Sequence, residues 1–238
     1  VADSADQVAR QFSDNDWVSA PVVDDGNILL GRITVDDVID IIREQAEHQA
    51  LSAAGLDEEE DLFSPIRRAV RGRVVWLGIN LCTAFLAAFV IGQFEATIEQ
   101  IVALAVLMPI VAGIGGNAAV QVLTLMVRGL ALGQVGASNA RILLWKELRV
   151  ASINGVLIGG LVGLVALVWF RDWLLSLVIF AALLINFCSA ALAGVLLPLL
   201  LKRMRVDPAV AGTVVVTAVT DIMGFFSFLG LASAIMLR

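Results

Sequence analysis

The sequence predicts an α-helical membrane protein: five transmembrane helices, preceded by a small α/β unit and a connecting amphipathic helix. Three observations carry this. The 238 residues are 59% hydrophobic and only 16% charged, against about 25% charged in soluble domains. The charge is segregated, with most of the acids in residues 1–73 and little charge beyond except short basic clusters. Beyond Arg73 the apolar runs recur at lengths near the roughly 20 residues that a bilayer requires. The net charge of −6 therefore belongs mainly to the N-terminal part. It argues against nucleic acid as a partner and fits the attraction of cations.

The N-terminal elements follow from local signals. Ser4 to Ser13 reads as an amphipathic helix, with Val8, Ala9 and Phe12 on one side and Ser4 as its cap. Ser19 to Val23 is a short strand, Asp24-Asp25-Gly26-Asn27 a hairpin turn, and Ile28 to Thr34 a second strand. Thr34 or Asp36 then caps a helix carrying Val38, Ile39, Ile41 and Ile42. Residues 44–64 are polar and end in the acidic run Asp57 to Asp61. Such a run is ordinarily a solvated face, but this one directly precedes a membrane domain, where it can meet cations. Val1 opens in the middle of a pattern with no signal peptide before it, so further N-terminal sequence is expected. Cys82 and Cys188 both fall in apolar segments and are expected to pack rather than pair.

The five spans are expected near 74–92, 99–127, 142–169, 173–201 and 208–237. Their flanks set the orientation. Arg67, Arg68, Arg71 and Arg73 precede the first span. Arg128, Arg141, Lys146 and Arg149 flank the link between the second and third, and Lys202, Arg203 and Arg205 lie between the fourth and fifth. The other side carries only Arg171 and Arg238. An excess of Lys and Arg marks the cytoplasmic side, which predicts a multi-pass protein of the cell (inner) membrane, N-terminal unit inside and C-terminus outside.

Two spans carry chemistry. In the last, Asp221 lies among aliphatic and aromatic residues, with Thr213, Thr217, Thr220 and Gly224 at helical spacing around it. An ionisable side chain inside a membrane is expensive and ordinarily faces water or a partner. The second span holds Pro109, Gly113, Gly115 and Gly116, then Asn117, Gln121 and Thr124 as one polar stripe. Proline and glycine there predict a broken helix whose free carbonyls face a cavity, although close packing between helices also uses glycine. One carboxylate with hydroxyls, amides and carbonyls is a hard-oxygen set. It suits magnesium, calcium or manganese rather than zinc or copper, and magnesium in particular is often held through its waters. Five spans are few for a whole pore, so two copies around an axis are expected. An enzyme is not expected: there is one mid-membrane Asp where an aspartyl protease needs two, and no nucleophile elbow, histidine pair or Walker sequence. A proton- or sodium-coupled secondary transporter of divalent cations such as manganese or cobalt is the alternative.

Four segments resemble the MgtE magnesium channels. Ala20-Pro21-Val22-Val23-Asp24, with Leu30 to Val38, is similar to most of a CBS domain lacking its first strand. Met108 to Ala118 is similar to the family's second-helix motif, Val206-Asp207-Pro208-Ala209 to the opening of its last helix, and Thr220 to Phe226 to its ion-site motif. The resemblance implies a partial cytoplasmic CBS domain at 1–43, an acidic linker or plug helix at 44–66 and a pore domain at 67–238. It implies a homodimer in membrane lipid that imports Mg2+ and is gated by cytoplasmic Mg2+. Asp221 would anchor the hydrated ion with Thr217, Thr213, Gly116 and Asn117, while Gln121, Thr124, Thr220 and Gly224 line the pore. Asp207 would take part near the inner mouth in the closed state, and Asp37, Glu58 and Asp61 would act as regulatory metal ligands. Thr34 and Asp37 also fit a nucleotide-binding CBS signature, which would admit ATP. The sequence departs from the family pattern at Val120, Thr213 and Val214 to Val216, which makes the implied pore wall less polar.

Overall fold

The computed structural model describes residues 3–53, 63, 65–136, 139–204 and 206–237. Contacts divide the chain into two compact units, Val1–Arg68 and Ala69–Arg238.

In the first unit, helix α1 spans Ala5–Asn15. Ser4 and Gln7 form a reciprocal capping box, the Gln7 N–H donating to Ser4 Oγ and the Ser4 N–H to Gln7 Oε1, so two otherwise orphaned donors are satisfied. The helix stops at Asp16, whose φ of 53° is left-handed. Strand β1 (Ser19–Val23) pairs antiparallel with β2 (Leu29–Thr34), Ser19 opposite Thr34, with an irregularity at Val22/Val23. Asp24 Oδ1 holds the connection by accepting from the Gly26 and Ile28 N–H groups at 2.9 and 2.8 Å, an Asx-type turn. Ile28 is therefore spent in the turn, and β2 begins one residue later than expected. Helix α2 spans Val35–Ala53. It runs unbroken through residue 43, so residues 44–53 continue the helix of the α/β unit. The unit closes on Ala9 and Phe12 of α1 and Val38 of α2, with Val8, Ala20 and Ile33 around them. Asp57 to Asp61, and with them Glu58 and Asp61, lie outside the described residues, as does Arg205.

The second unit is built from long helices: α3 (Ile66–Gly92), the short α4 (Glu95–Gln100), α5 (Ala103–Ala131), α6 (Ala140–Phe170), α7 (Trp173–Arg203) and α8 (Pro208–Met236). Five of them are long and apolar enough to cross a membrane. Helix α7 is the centre, with half of its span covered, whereas only 6% of the α3 span is covered by the rest of the chain. Lipid is as apolar as leucine, so burial does not drive these helices together; close approach and specific polar contacts do. The α6–α7 pair shows how. The link between them is two residues long: Arg171 ends α6 in the left-handed region at φ 54° and Asp172 caps α7. The helices then run antiparallel, with Gly155 against Leu184, Gly159 against Phe180 and Gly163 against Ser176. The Ser176 hydroxyl donates to the Gly163 carbonyl at 2.6 Å. Leu104, Leu107 and Val111 of α5, Val178, Ile179 and Leu183 of α7, and Phe228 and Leu229 of α8 fill the main core.

The second span departs from expectation. Helix α5 is continuous through Pro109, Gly113, Gly115 and Gly116. The only glycine with positive φ among the described residues is Gly133, beyond its end. The chain breaks earlier, at Ile101–Val102, and residues 95–100 form the separate α4. The physical reason is a matter of backbone accounting. Pro109 removes one donor and leaves one carbonyl short, whereas unwinding the helix would strand several more groups where water is scarce.

Candidate functional site

Helices α5 and α8 run antiparallel and touch along a line of small residues. A Cβ at Gly116 would meet Thr217 Cγ2 at 3.8 Å, and one at Gly212 would strike Leu123 at 2.9 Å. Two residues singled out from sequence, Gly116 on α5 and Thr217 on α8, are thereby brought together. Asp221 follows Thr217 by one helical turn and is half-buried. The Thr217 hydroxyl donates to the carbonyls of Thr213 and Val214 at 2.9 and 3.1 Å. The Thr124 hydroxyl likewise donates to Val120 O at 2.8 Å. A hydroxyl that gives its proton to its own helix keeps its oxygen lone pairs for another donor or a cation. Asn117 and Thr124 are exposed on α5. The α5–α8 pair therefore carries a carboxylate, hydroxyl oxygens and an amide that are not sealed inside the bundle.

The polar residues are not all open in this way. Thr220 is fully buried, its hydroxyl donating to Thr217 O at 2.9 Å and Val216 O at 3.1 Å. Gly224 is buried as well, against Val111 and Asn186. Both face the helix bundle, because Thr220 and Asp221, one residue apart, are separated by about 100° around a helix. Gln121 is exposed, as Asn117 and Thr124 are, and also borders a crevice of about 110 Å³ between α5, α6 and α7, together with Glu147 and Asn154. Glu147 is 5% exposed and pairs with Lys146 Nζ at 3.0 Å. Asp207 immediately precedes α8 and is exposed. It is fourteen residues from Asp221, roughly 21 Å along the axis, so the two carboxylates do not form one site within a chain. Among the described residues no three His, Cys, Asp or Glu side chains gather into a metal-binding group. A single carboxylate with hydroxyl oxygens nearby on its own helix suits a cation that keeps its waters.

In the first unit Thr34 and Asp37 do meet, as the start of α2. Asp37 Oδ2 accepts from the Thr34 N–H at 2.9 Å and from its hydroxyl at 2.8 Å. These bonds, the backbone one first, hold the Asp37 carboxyl below the usual carboxylate range. The carboxylate also lies at the positive end of the helix dipole.

The sequence reading misses Asn186. It is the lone amide of α7, fully buried, and its Nδ2 donates to Val111 O at 3.0 Å. The signal was an amide in a span otherwise made of aliphatic, aromatic and small residues, where any polar group demands a partner.

Known proteins bear on this arrangement. The MgtE family, described as a divalent cation transporter, matches residues 108–231, just over half of the chain. The chain is 30% identical over 231 residues to the magnesium transporter MgtE of Bacillus subtilis, covering 96% of this chain and 51% of that protein. It is 33% identical over 236 residues to the magnesium transporter MgtE of Enterococcus faecalis, 99% of this chain and 52% of that one. It is 32% identical over 231 residues to that of Thermus thermophilus, 95% and 51%. The chain thus spans about half the length of these curated relatives. The matched segment contains both Gly116 and Thr217 and ends beyond Asp221, and on that match the chain belongs to the MgtE family of divalent cation transporters.

Proposed function

We propose that the chain carries magnesium across a membrane through a pore lined by α5 and α8 of two copies. The observation that carries this reading is Asp221: a half-buried carboxylate in a membrane-length helix, one turn from Thr217 and its contact with Gly116. Membership of a transporter family sets an enzymatic reading aside. Asp221, Thr217, Thr213, Gly116 and Asn117 form the ion site, and neutral oxygens around one charge favour a hydrated ion over a stripped one. Each chain supplies half of the polar wall, and the second copy supplies the other half. The relatives named as magnesium transporters support magnesium as the ion. The N-terminal unit lies in the cytoplasm, on the side of the Arg and Lys clusters. The acidic linker, with Glu58 and Asp61, senses cytoplasmic magnesium, because a divalent ion relieves repulsion among carboxylates adjacent in sequence, and Asp207 at the start of α8 takes part in the closed state. An adenine nucleotide at Thr34 and Asp37 is the finer reading of the N-terminal unit, and calorimetric titration with ATP checks it.

The test is flux of magnesium, manganese and calcium into proteoliposomes, with and without a proton gradient. A pore conducts without any coupling ion. Flux that requires the gradient and saturates at modest rates overturns the channel in favour of a coupled carrier. A cysteine at Thr217 should cross-link between two copies, and a conducting monomer would rule out the shared wall.

A further inference from the structure

Three helices meet at one amide. Asn186 projects from α7 into a notch between Gly115 of α5 and Gly224 of α8. A Cβ at Gly115 would overlap the amide outright, and one at Gly224 would come within 2.6 Å of Nδ2. Both glycines are thus required by the same side-chain head. Nδ2 donates to Val111 O at 3.0 Å, tying α7 to α5. Oδ1 is buried and has no hydrogen-bond partner. An unsatisfied buried oxygen costs free energy that a leucine of similar volume would not. Space-filling alone therefore does not account for an asparagine here. What the amide offers and leucine does not is a flat head, slender enough to pass between two Cα atoms, and one directional bond that sets the register of α5 against α7.

The position of the notch gives that register a consequence. Gly115 adjoins Gly116, which touches Thr217, and Gly224 follows Asp221 by three residues, about 4.5 Å along α8. We propose that Asn186 is a positioning residue for the ion path: its amide, keyed between Gly115 and Gly224, fixes the separation of α5 and α8 at the level of Asp221. The side chain touches no ion. It acts by holding Gly116 and Asn117 on one wall at a set distance from Thr217 and Asp221 on the other. A site that discriminates hydrated cations by distance is sensitive to sub-ångström shifts of its supporting residues. The proposal rests on the reading of Asp221 as the ion site.

The experiment compares four proteins in proteoliposomes: wild type, Asn186→Leu, Asn186→Ala and the double variant Gly115→Ala/Asn186→Ala. Thermal unfolding, half-saturating magnesium and the magnesium-to-manganese flux ratio are read for each. In the double variant the methyl on α5 fills space that the amide leaves, so its unfolding midpoint returns toward wild type. Its half-saturating magnesium and its flux ratio should nevertheless stay shifted by about threefold or more, because no bond ties α5 to α7. A merely structural Asn186 predicts the opposite: stability and flux ratio recover together. A well-folded double variant or Asn186→Leu protein with wild-type half-saturation and flux ratio overturns the proposal. Should Asn186→Ala fail to fold, those two variants carry the same readouts. Asp221→Asn in the wild-type background separates the two claims. If it conducts normally, the ion-site reading fails whatever Asn186 does. If it is inert while the double variant keeps wild-type selectivity, only the positioning role fails.

Discussion

Asn186 and Asn117 are both amides in the membrane-spanning unit, yet one is fully buried and hydrogen-bonded to a neighbouring helix while the other is exposed. The same contrast separates Thr220, sealed inside the bundle, from Thr217 and Asp221, which are partly open. Polar groups within a span thus divide by burial. The inner set is sealed inside the chain's own bundle, where Asn186 ties α7 to α5. The outer set keeps oxygen atoms available, in a setting where an unmatched polar group is costly, and so must meet water, a cation or a second copy. A hydropathy profile treats the two sets alike, and only their burial tells them apart.

The largest effect should come from the outer set. Asp221→Asn keeps the size and the hydrogen-bonding capacity of the side chain but removes its charge. Magnesium flux in proteoliposomes should fall below about a tenth of wild type with the thermal midpoint retained. Normal flux from the folded variant would erase the distinction drawn here.

The next largest effect lies on the inner side. Gly224→Val places a branched side chain where a single Cβ already meets Asn186 Nδ2 at 2.6 Å and Val111 Cγ1 at 3.1 Å. Overpacking of this kind costs about 1–3 kcal/mol, so thermal unfolding of the purified protein should shift down clearly. An unchanged midpoint would mean that the notch is looser than its geometry implies.

A smaller and purely functional effect is expected from Thr217→Val, which is close to isosteric. Its stability should change by less than about 0.5 kcal/mol, since the lost hydroxyl bonds only its own helix. Flux should drop severalfold, because an oxygen is removed beside Asp221. A variant that loses stability but not flux would move Thr217 to the inner set.

The smallest effect concerns a carboxylate whose partners are both local. Asp37 is exposed, and the Thr34 N–H and hydroxyl lower its pKa. A depressed carboxylate stabilises above its unfolded pKa, about 3.9, and that contribution disappears as pH falls through the lower folded value. Helicity of the N-terminal unit should therefore fray as pH falls below that unfolded value, and Asp37→Asn should flatten that part of the acid titration. An acid transition identical in the two proteins would show that the cap does not govern the start of α2.

Much of this was legible in the sequence because it is local. The existence of five spans follows from length and hydropathy, since each apolar run must satisfy its own backbone as a helix. Ser4 as the cap of α1 and the turn at Asp24 were readable for the same reason: their partners lie within a few residues. Only the tertiary structure decided what depends on neighbours distant in the chain. Asn186 reaches across 75 positions to Val111, and no local pattern announces that pairing. Helical spacing placed Thr213, Thr217, Thr220 and Gly224 on one broad face, but α5 and α7 cover part of that face and leave the rest open. Proline and glycine in α5 predicted a break by their propensities, yet the surrounding helices and the scarcity of water keep the backbone helical. Propensity is a property of a residue, whereas burial and the cost of an unpaired group belong to the assembled bundle.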